Sequence, residues 1–526
     1  MISAGKGPER EMSDNKELYT ELRQYLGQKL YPLHMPGHKR RLAPASVLPY
    51  EIDLTEVPGT DDLHSAEDIL RSAMDRTAEL YDADRTWYLV NGSTCGNLAA
   101  IFAATRQGGE IIAARNCHRS VLHALELRGL HVHWALPTYD AAFELCGCIR
   151  PETIADLLAR YPKTEAVVLT SPTYEGIVSD IPAIAKLCHA QSIPLLVDEA
   201  HGAHLGLEGH FQKGETAASE ANVGASAFRL PAAKRPFFPD SAIRQGADLV
   251  IQSPHKTLPS LTQTAWLHLK GNLISGNRVE RMLGIFETSS PSYPLMVSLD
   301  SCTSFLRGAG EDEFRQWGER LHRFIRGTEK LHCIRLYRED PASAYDYDRS
   351  KLLLHSLIPD ISGKMIRNML REKYSYELEM SLGRNVLAMT SMADGDEALE
   401  GFLAAVTEID DKLWTLTAER DWMTEWQTLA ARKQQESVGF FTEAAETMTL
   451  QEAVEAEHED IGLAAAEGRI AGEYIYCYPP GIPLVVPGET LQPEILQRLQ
   501  TLQEGGEVLH CTESGENLDR ITVCRV

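Results

Sequence analysis

The stretch SPHKT at residues 253–257 follows DLVIQ at residues 248–252, and the pair indicates how this chain is built. DLVIQ is rich in aliphatic residues and predicts a short buried strand. Lys256 is therefore placed at a strand end, beside a serine, a histidine and a threonine. A lysine amine can condense with an aldehyde to form a Schiff base. The alternative is a solvent-exposed surface lysine, and the sequence upstream decides between the two.

Strand-like runs alternate with helical runs between residues 85 and 269. The strand-like runs are TWYLV, EIIAA, HVHWAL, AVVLT, PLLVDE, DLVIQ and TAWLHL. This alternation predicts βαβ units and a mostly parallel sheet. In such sheets, functional side chains collect in the loops beyond the carboxyl ends of the strands.

Changes in composition predict four regions. They are an N-terminal arm with helices at 1–84, a large α/β domain at 85–300 with an insertion at 211–244, a small α+β domain at 301–420, and a small C-terminal domain at 421–526. The segment YPLHMPGHKRR at 31–41 is predicted to be irregular because it contains two prolines and a glycine. Ser65 is predicted to cap the helix that follows it.

Composition excludes several functional classes. The chain has 526 residues and a formal net charge of −24, which argues against a nucleic-acid surface because phosphate would be repelled. It has no apolar run long enough to cross a bilayer, and its first residues lack the apolar core of a signal peptide. Ten cysteines occur without a CxxC pair or zinc-type spacing. We therefore expect a cytoplasmic protein with reduced cysteines, no metal, and no nucleic-acid or membrane partner.

The loop NGSTCGN at 91–97 follows the TWYLV strand and opens a helix. Gly92, Ser93 and Thr94 offer backbone N–H groups and two hydroxyls at a helix N-terminus, which suits a phosphate. The chain contains no GxxxxGK[ST] motif, so this loop is not a nucleotide-binding P-loop.

Two further strand ends carry side chains that could contact a bound aromatic ring. RNCHRS at 115–120 places His118 where its ring could lie against a planar aromatic group, although a helix-capping histidine is the alternative. VDEAHGAH at 197–204 makes Asp198 the last residue of a buried strand, where a carboxylate is costly unless paired. A protonated pyridine nitrogen would be such a partner. DEAH also occurs in helicases, but the missing P-loop argues against that interpretation.

The ordered set matches one cofactor. A phosphate site, a stacking histidine, a buried aspartate and a strand-end lysine correspond to the phosphate, ring face, ring nitrogen and aldehyde carbon of pyridoxal 5′-phosphate (PLP). Each motif is weak alone, and their combination in this order is much stronger.

The chain resembles the fold-type I PLP enzymes and, more narrowly, the prokaryotic ornithine/lysine/arginine decarboxylase family in its short form, without an N-terminal receiver-like domain. The matching strings are HMPGHKR, GTDDLHS, NGST, RNCHRS, SPTYEG, VDEAHGAH, SPHKTLPSLTQTA, SSPSYPLMVSLD and YPPGIPLVVPGE. The resemblance implies an aspartate aminotransferase-like large domain with a smaller α+β domain and a small C-terminal domain.

The resemblance also implies roles for individual residues. Lys256 would carry the cofactor as a Schiff base, and Asp198 would pair with the pyridine nitrogen. The other implied contacts are His118 on the ring, His201 near the cofactor, Ser93, Thr94, Ser253 and His255 at the phosphate, and Ser289 and Ser290 approaching the phosphate from a second subunit. A homodimer or larger homo-oligomer with shared active sites follows.

The implied reaction is decarboxylation of arginine, lysine or ornithine to agmatine, cadaverine or putrescine and CO2. The alternatives are another fold-type I reaction (an aminotransferase or a Cα–Cβ lyase) and an inactive regulatory homologue. A basic substrate predicts an acidic pocket, for which the candidates are Glu287, Asp61, Asp62 and Glu489. A second group could bind the substrate carboxylate or close the site, and its members are His34, His38 and Lys39.

Overall fold

The computed structural model of the chain describes residues 31–33, 61–216, 236–418, 420–436, 441, 447–477, 482–504, 508–515 and 519–525. Within these residues a seven-stranded sheet forms the centre of the large domain. Its strands lie in the order Arg85–Leu89, Ala265–Leu269, Leu249–Gln252, Leu195–Asp198, Thr164–Thr170, Glu110–Ala114 and His131–Ala135.

The sheet is parallel except for one strand. Ala265–Leu269 is antiparallel to both of its neighbours, and the remaining pairs are parallel. The strands are almost continuously buried, as expected for a sheet covered by helices on both faces. The predicted mainly parallel α/β fold is confirmed.

Helices connect and flank these strands. Their bounds are Ile69–Tyr81, Gly92–Ala104, Arg119–Leu127, Pro151–Arg160, Ile181–His189, Leu207–Thr216, Pro254–Thr257 and Gly276–Phe286. The predicted insertion at 211–244 begins inside one of these helices, and its residues 217–235 lie outside the described part of the chain.

The predicted helix cap at Ser65 is wrong. The helix begins at Ile69, and Ser65 belongs to a short 3-10 turn. The carboxylate of Asp61 accepts hydrogen bonds from the backbone N–H groups of Glu67, Asp68 and Leu70. Asp61 thus satisfies amides that would otherwise need a serine cap.

The smaller α+β domain is built around a four-stranded sheet in the order Ile334–Leu336, Lys351–Ser356, Asn385–Met389 and Met380–Leu382. Its helices are Tyr293–Gly327, Gly363–Tyr374 and Asp396–Leu416, with a 3-10 turn at Thr328–Lys330. The first helix runs without a break through the boundary predicted at 300/301. The four domains and the three boundaries between them remain predictions.

The start of YPLHMPGHKRR is not irregular. Tyr31–Leu33 forms a short strand that pairs in parallel with Tyr376–Leu378 of the small domain. Pro32 lacks an N–H group, but a two-stranded ribbon has free edges at which a proline costs no ladder hydrogen bond.

The C-terminal region has its own apolar core. It contains the helices Trp422–Glu436, Leu450–Glu455 and Pro493–Glu504 and two small sheets, which pair His458–Gly462 with Arg520–Cys524 and place Ile475–Cys477 between Ile482–Val485 and Leu509–Cys511. Short elements complete the fold: the hairpin Tyr139–Asp140 with Leu145–Cys146, the pair Ile177–Val178 with Asp346–Tyr347, and a 3-10 turn at Leu463–Ala465. A search of the helices in the described ranges finds none with the length and apolar character needed to span a bilayer.

Candidate active site

Lys256 lies on a one-turn helix, Pro254–Thr257, directly after a central strand. Its Nζ is 2.9 Å from Nε2 of His201. Burial lowers the pKa of Lys256, while the nearby carboxylates of Asp198 and Glu379 act in the opposite direction. A lowered pKa keeps more of the amine neutral and nucleophilic near neutral pH. The site therefore favours the reactive form of Lys256.

Asp198 is the last residue of its strand, as predicted, and is only 3% exposed. It lies beside Ile251 of the strand that leads to Lys256. Its Oδ2 accepts a hydrogen bond from Asn97 Nδ2 at 2.9 Å, and its Oδ1 accepts one from the Ala200 N–H at 3.1 Å. Both donors are neutral groups, so neither hydrogen bond brings a positive charge to the carboxyl group.

Asn97 is not among the site residues predicted from the sequence, although it is the last residue of the NGSTCGN loop. Its Nδ2 also lies 2.9 Å from Ser120 Oγ, which is 2.8 Å from Nδ1 of His118. A hydrogen-bonded chain thus joins the aspartate to the histidine. Asn97 falls one turn into the helix that begins at Gly92, and that spacing could have singled it out.

His118 caps the helix Arg119–Leu127, and its Nδ1 accepts the Ser120 N–H at 3.2 Å. Burial lowers the pKa of His118 to about 4, although Asp198 acts in the opposite direction. The ring is therefore neutral near neutral pH, with its proton on Nε2. The helix-capping alternative is thus confirmed, and the contact of His118 with a cofactor ring remains a prediction.

His201 lies between Lys256 and a tyrosine. The ring centroids of His201 and Tyr174 are 4.6 Å apart and tilted by 54°. Burial lowers the pKa of His201 well below its usual value, and the charges of Lys256 and Lys351 lower it further. His201 is thus a neutral imidazole in direct contact with the reactive amine.

The predicted phosphate site includes the start of the helix Gly92–Ala104. Gly92 has φ +75°, a left-handed conformation that favours glycine, and the side chain of Asn91 does not cap the helix. Ser93 is half-buried and Thr94 is exposed at this end. The first-turn amides can therefore meet an anion that approaches from outside the helix.

The strand end at Ser253 adds a polar group. Ser253 is fully buried, and its Oγ has no hydrogen-bond partner among the described residues. A buried hydroxyl without a partner is costly, which suits a site that a ligand atom completes. His255 Nδ1 donates to the carbonyl oxygen of Thr264 at 2.7 Å. Its Nε2 could then donate to a phosphate only when the ring is cationic.

Ser289 and Ser290 are exposed in this chain, in the segment between the helices Gly276–Phe286 and Tyr293–Gly327. The Ser290 N–H donates to Thr288 Oγ1 at 3.2 Å. Their predicted contact with a phosphate of a second subunit remains a prediction.

The four acidic candidates for substrate recognition are all hydrogen-bonded within the chain. Their contacts are Asp61 with the backbone amides described above, Asp62 with the His64 N–H at 2.9 Å, Glu287 with the Val90 N–H at 2.6 Å, and Glu489 with Arg115 at 2.9 Å. These carboxylates stabilise the surrounding segments, so the structure offers no support for them as a pocket. The other predicted group, His34, His38 and Lys39, lies outside the described residues.

Glu379 is an acidic side chain that sequence reasoning missed. It lies between two short strands of the small domain, and its Oε1 accepts a hydrogen bond from the hydroxyl of Tyr174. Its charge acts on Lys256, as described above. No local motif marks Glu379, because its place near the lysine depends on how the small domain packs against the large one.

Arg115 connects the loop of His118 to the C-terminal region. Its side chain is 3% exposed and binds Glu489 through two hydrogen bonds of 2.9 Å. It also donates to the carbonyl oxygens of Pro483 and Leu484. These bonds connect the C-terminal region to the loop that carries His118.

A buried network lies next to Asp198. Glu199 accepts hydrogen bonds from Ser241 Oγ at 2.9 Å, Gln252 Nε2 at 2.6 Å and the Ala242 N–H at 2.8 Å. Burial raises the pKa of Glu199 from about 4.5 to about 8. The folded state therefore binds a proton between these pH values that the unfolded state has released.

We expect this group to make the protein less stable as the pH rises from about 4.5 to about 8. Glu199→Gln should remove that dependence because the amide does not titrate. Urea unfolding near pH 5 and near pH 8 measures it: the free energy of unfolding should fall more in the native protein than in the variant. Parallel pH profiles for the two proteins would contradict the assignment.

The residues fit PLP. Among the described residues the buried Ser253 hydroxyl has no hydrogen-bond partner, the side chain of Asn91 does not cap the helix that begins at Gly92, and the carboxyl group of Asp198 is buried beside the strand that leads to Lys256. In the described ranges, no cluster of three or more His, Cys, Asp or Glu side chains is arranged to hold a metal ion.

Comparison with known proteins agrees with this geometry. Residues 16–334 match the family model for the Orn/Lys/Arg decarboxylase major domain, and residues 430–509 match the model for the C-terminal domain of the same family. Arginine decarboxylase of Bacillus subtilis is 29% identical over 489 residues, covering 91% of each chain. The constitutive lysine decarboxylase of Escherichia coli is 23% identical, covering 91% of this chain and 75% of its own.

The fold has solved counterparts. The crystal structure of the Francisella novicida lysine decarboxylase superposes with a TM-score of 0.68 at 17% identity, covering 90% of this chain and 74% of the other. The major-domain match alone spans more than half of the sequence. The chain therefore belongs to the Orn/Lys/Arg decarboxylase family and is a PLP-dependent carboxy-lyase of fold type I.

Proposed function

We propose that this protein decarboxylates a basic amino acid (arginine, lysine or ornithine) to the corresponding amine and CO2. The observation that carries the proposal is the convergence of Lys256, Asp198, His118 and His201 at neighbouring strand ends, with the carboxylate of Glu379 acting on the same lysine. The names of the arginine and lysine decarboxylases that it resembles support this substrate class.

PLP, when bound, supplies an electron sink for the electron pair of the broken Cα–carboxylate bond. Asp198 would face the ring nitrogen and keep it protonated, and His118 would cover one face of the ring. The phosphate contacts would come from Ser93, Thr94, Ser253 and His255. These assignments are proposals supported by burial, hydrogen bonding and position at the strand ends.

Side chains of the protein would donate the proton that Cα needs after CO2 leaves. The substrate loses its carboxylate as CO2, and Cα must then gain one proton to give the amine. Lys256 and His201 are the candidate donors because their nitrogens lie 2.9 Å apart at the reacting end of the site. Burial of both groups limits competing proton exchange with water.

Glu379 would bind the cationic end of the substrate. Glu379→Gln should raise KM about tenfold or more for the preferred substrate, because a charged hydrogen bond contributes roughly 1.5–3 kcal/mol. Steady-state kinetics measures this change. Glu377→Gln is a matched control, since Glu377 pairs with Arg371 at 2.9 Å. An unchanged KM in the Glu379 variant would exclude this role.

We also propose a cytoplasmic homodimer or larger homo-oligomer in which Ser289 and Ser290 complete the phosphate site of a second subunit. Their exposure in the single chain supports this arrangement. Light scattering on the purified protein gives its mass, and a monomeric, fully active protein would rule the arrangement out.

The deciding experiment is a decarboxylation screen over arginine, lysine, ornithine and close analogues with added PLP. We expect release of CO2 and one amine, which chromatography identifies as agmatine, cadaverine or putrescine. A keto acid would indicate an aminotransferase, and an aldehyde would indicate a lyase. A protein that binds PLP but converts none of these substrates would support the inactive regulatory homologue.

A further inference from the structure

Lys351 is a buried lysine outside the predicted site. It begins the strand Lys351–Ser356 in the small domain and is only 1% exposed. Its Nζ lies 3.4 Å from Nδ1 of His201, whose Nε2 lies 2.9 Å from Nζ of Lys256. One imidazole thus bridges two lysines, one of which is the reactive amine.

Donor chemistry limits how protons can be arranged in this bridge. An ammonium group only donates hydrogen bonds, and a neutral imidazole carries one N–H and one acceptor nitrogen. If Lys351 is the ammonium, it donates to Nδ1 of His201, and Nε2–H then points to a neutral Lys256. If Lys256 is the ammonium, the proton moves to Nδ1 and Lys351 must be neutral.

The carboxylate of Asp348, near Lys351, favours the first arrangement. Burial works against the ionised form of Asp348, yet His204 and Lys351 hold the pKa of Asp348 below its usual value. Burial raises the pKa of the nearby Glu175, and Lys351 acts in the opposite direction. Asp348 and His204 are fully buried, with Oδ1 and Nε2 3.0 Å apart. These carboxylates belong to the fold and remain whether or not a cofactor is bound.

The charges around Lys256 differ because the cofactor and the substrate would pair with them. Burial lowers the pKa of Lys256 even in the protein alone, where Asp198 and Glu379 act in the opposite direction. In the proposed function, however, a ring nitrogen would occupy Asp198 and the substrate cation would occupy Glu379. When the site fills, the two carboxylates that favour an ammonium at Lys256 would therefore be paired with other cations. The carboxyl groups near Lys351 would still face Lys351.

We propose that Lys351 is a positioning residue whose ammonium fixes His201 as the Nε2–H tautomer and so directs an imidazole N–H at the reactive amine. Only the expected effect of Lys351 on the reaction rests on the proposed function. The tautomer itself is a property of the protein without cofactor, and it can be measured there.

The test is 15N NMR of the full-length apoprotein labelled at histidine, with the His201 signals assigned from a His201→Gln variant. We expect the proton on Nε2 in the native protein and a shift of population toward Nδ1 in Lys351→Met. Lys351→Arg keeps the cation and should keep the Nε2–H form. Lys364→Met removes an exposed lysine and should change nothing.

A native protein with the proton on Nδ1 overturns the proposal, and this result needs no variant to fold. An unchanged tautomer in a folded Lys351→Met protein overturns it as well. In the loaded enzyme, Lys351→Met should lower kcat by about 10²-fold with little change in KM, the size of a lost general acid. An unchanged kcat would refute the role in the reaction. Absence of decarboxylation in the native protein would instead refute the proposed function and leave the tautomer result intact.

Discussion

Lys256→Ala is expected to abolish the absorbance band near the visible edge that the lysine–cofactor linkage gives, and to lower kcat/KM by at least about 10³-fold. The reason is that Lys256 is the proposed nucleophile, a partly buried lysine at the strand end, with its pKa lowered by burial and its Nζ beside His201. Absorbance titration with PLP and a CO2-release assay measure the two effects.

Two controls separate this result from misfolding. Lys364→Ala changes an exposed lysine on the helix Gly363–Tyr374 and should keep both the band and the activity. Lys351→Ala changes the other lysine beside His201 and should keep the band, because the amine that forms the linkage is intact. A Lys256→Ala protein that retains the band would show that another amine holds the cofactor.

Asp198→Asn is expected to lower kcat by about 10³-fold, the size of a lost preorganised electrostatic contact. The amide has nearly the same shape and can still accept the Ala200 N–H, so the fold should survive. It cannot keep a ring nitrogen protonated, because it carries no charge. Kinetics with saturating PLP and far-ultraviolet circular dichroism measure activity and fold together.

Asp248→Asn is the matched control for this prediction. Asp248 is as buried as Asp198, but its Oδ2 accepts from His189 Nε2 at 2.9 Å and from the Leu195 N–H at 2.8 Å, at the other end of the neighbouring strand. We expect that variant to lose stability while keeping kcat. If Asp198→Asn kept full activity, the assignment of the ring-nitrogen partner would be wrong.

Packing, rather than sequence pattern, decided which acidic residues surround the site. Glu287 and Glu489 were candidates for the acidic pocket that a basic substrate would need, yet one is bonded to a backbone amide and the other to Arg115. Glu379 has no motif and also accepts a hydrogen bond, from Tyr174, but its charge acts on Lys256. Which charged groups a carboxylate lies beside depends on the packing of segments that are far apart in the chain.

The sequence by itself determined the alternation of strands and helices, and with it the positions of Lys256, Asp198 and His118 at strand ends or helix starts. These features follow from local periodicity, since the hydrophobic pattern fixes where a strand ends. Only the tertiary structure decided that Asn97 joins Asp198 to His118, and that Lys351 reaches His201. Those contacts depend on how separate elements pack, which a pattern along one chain does not encode.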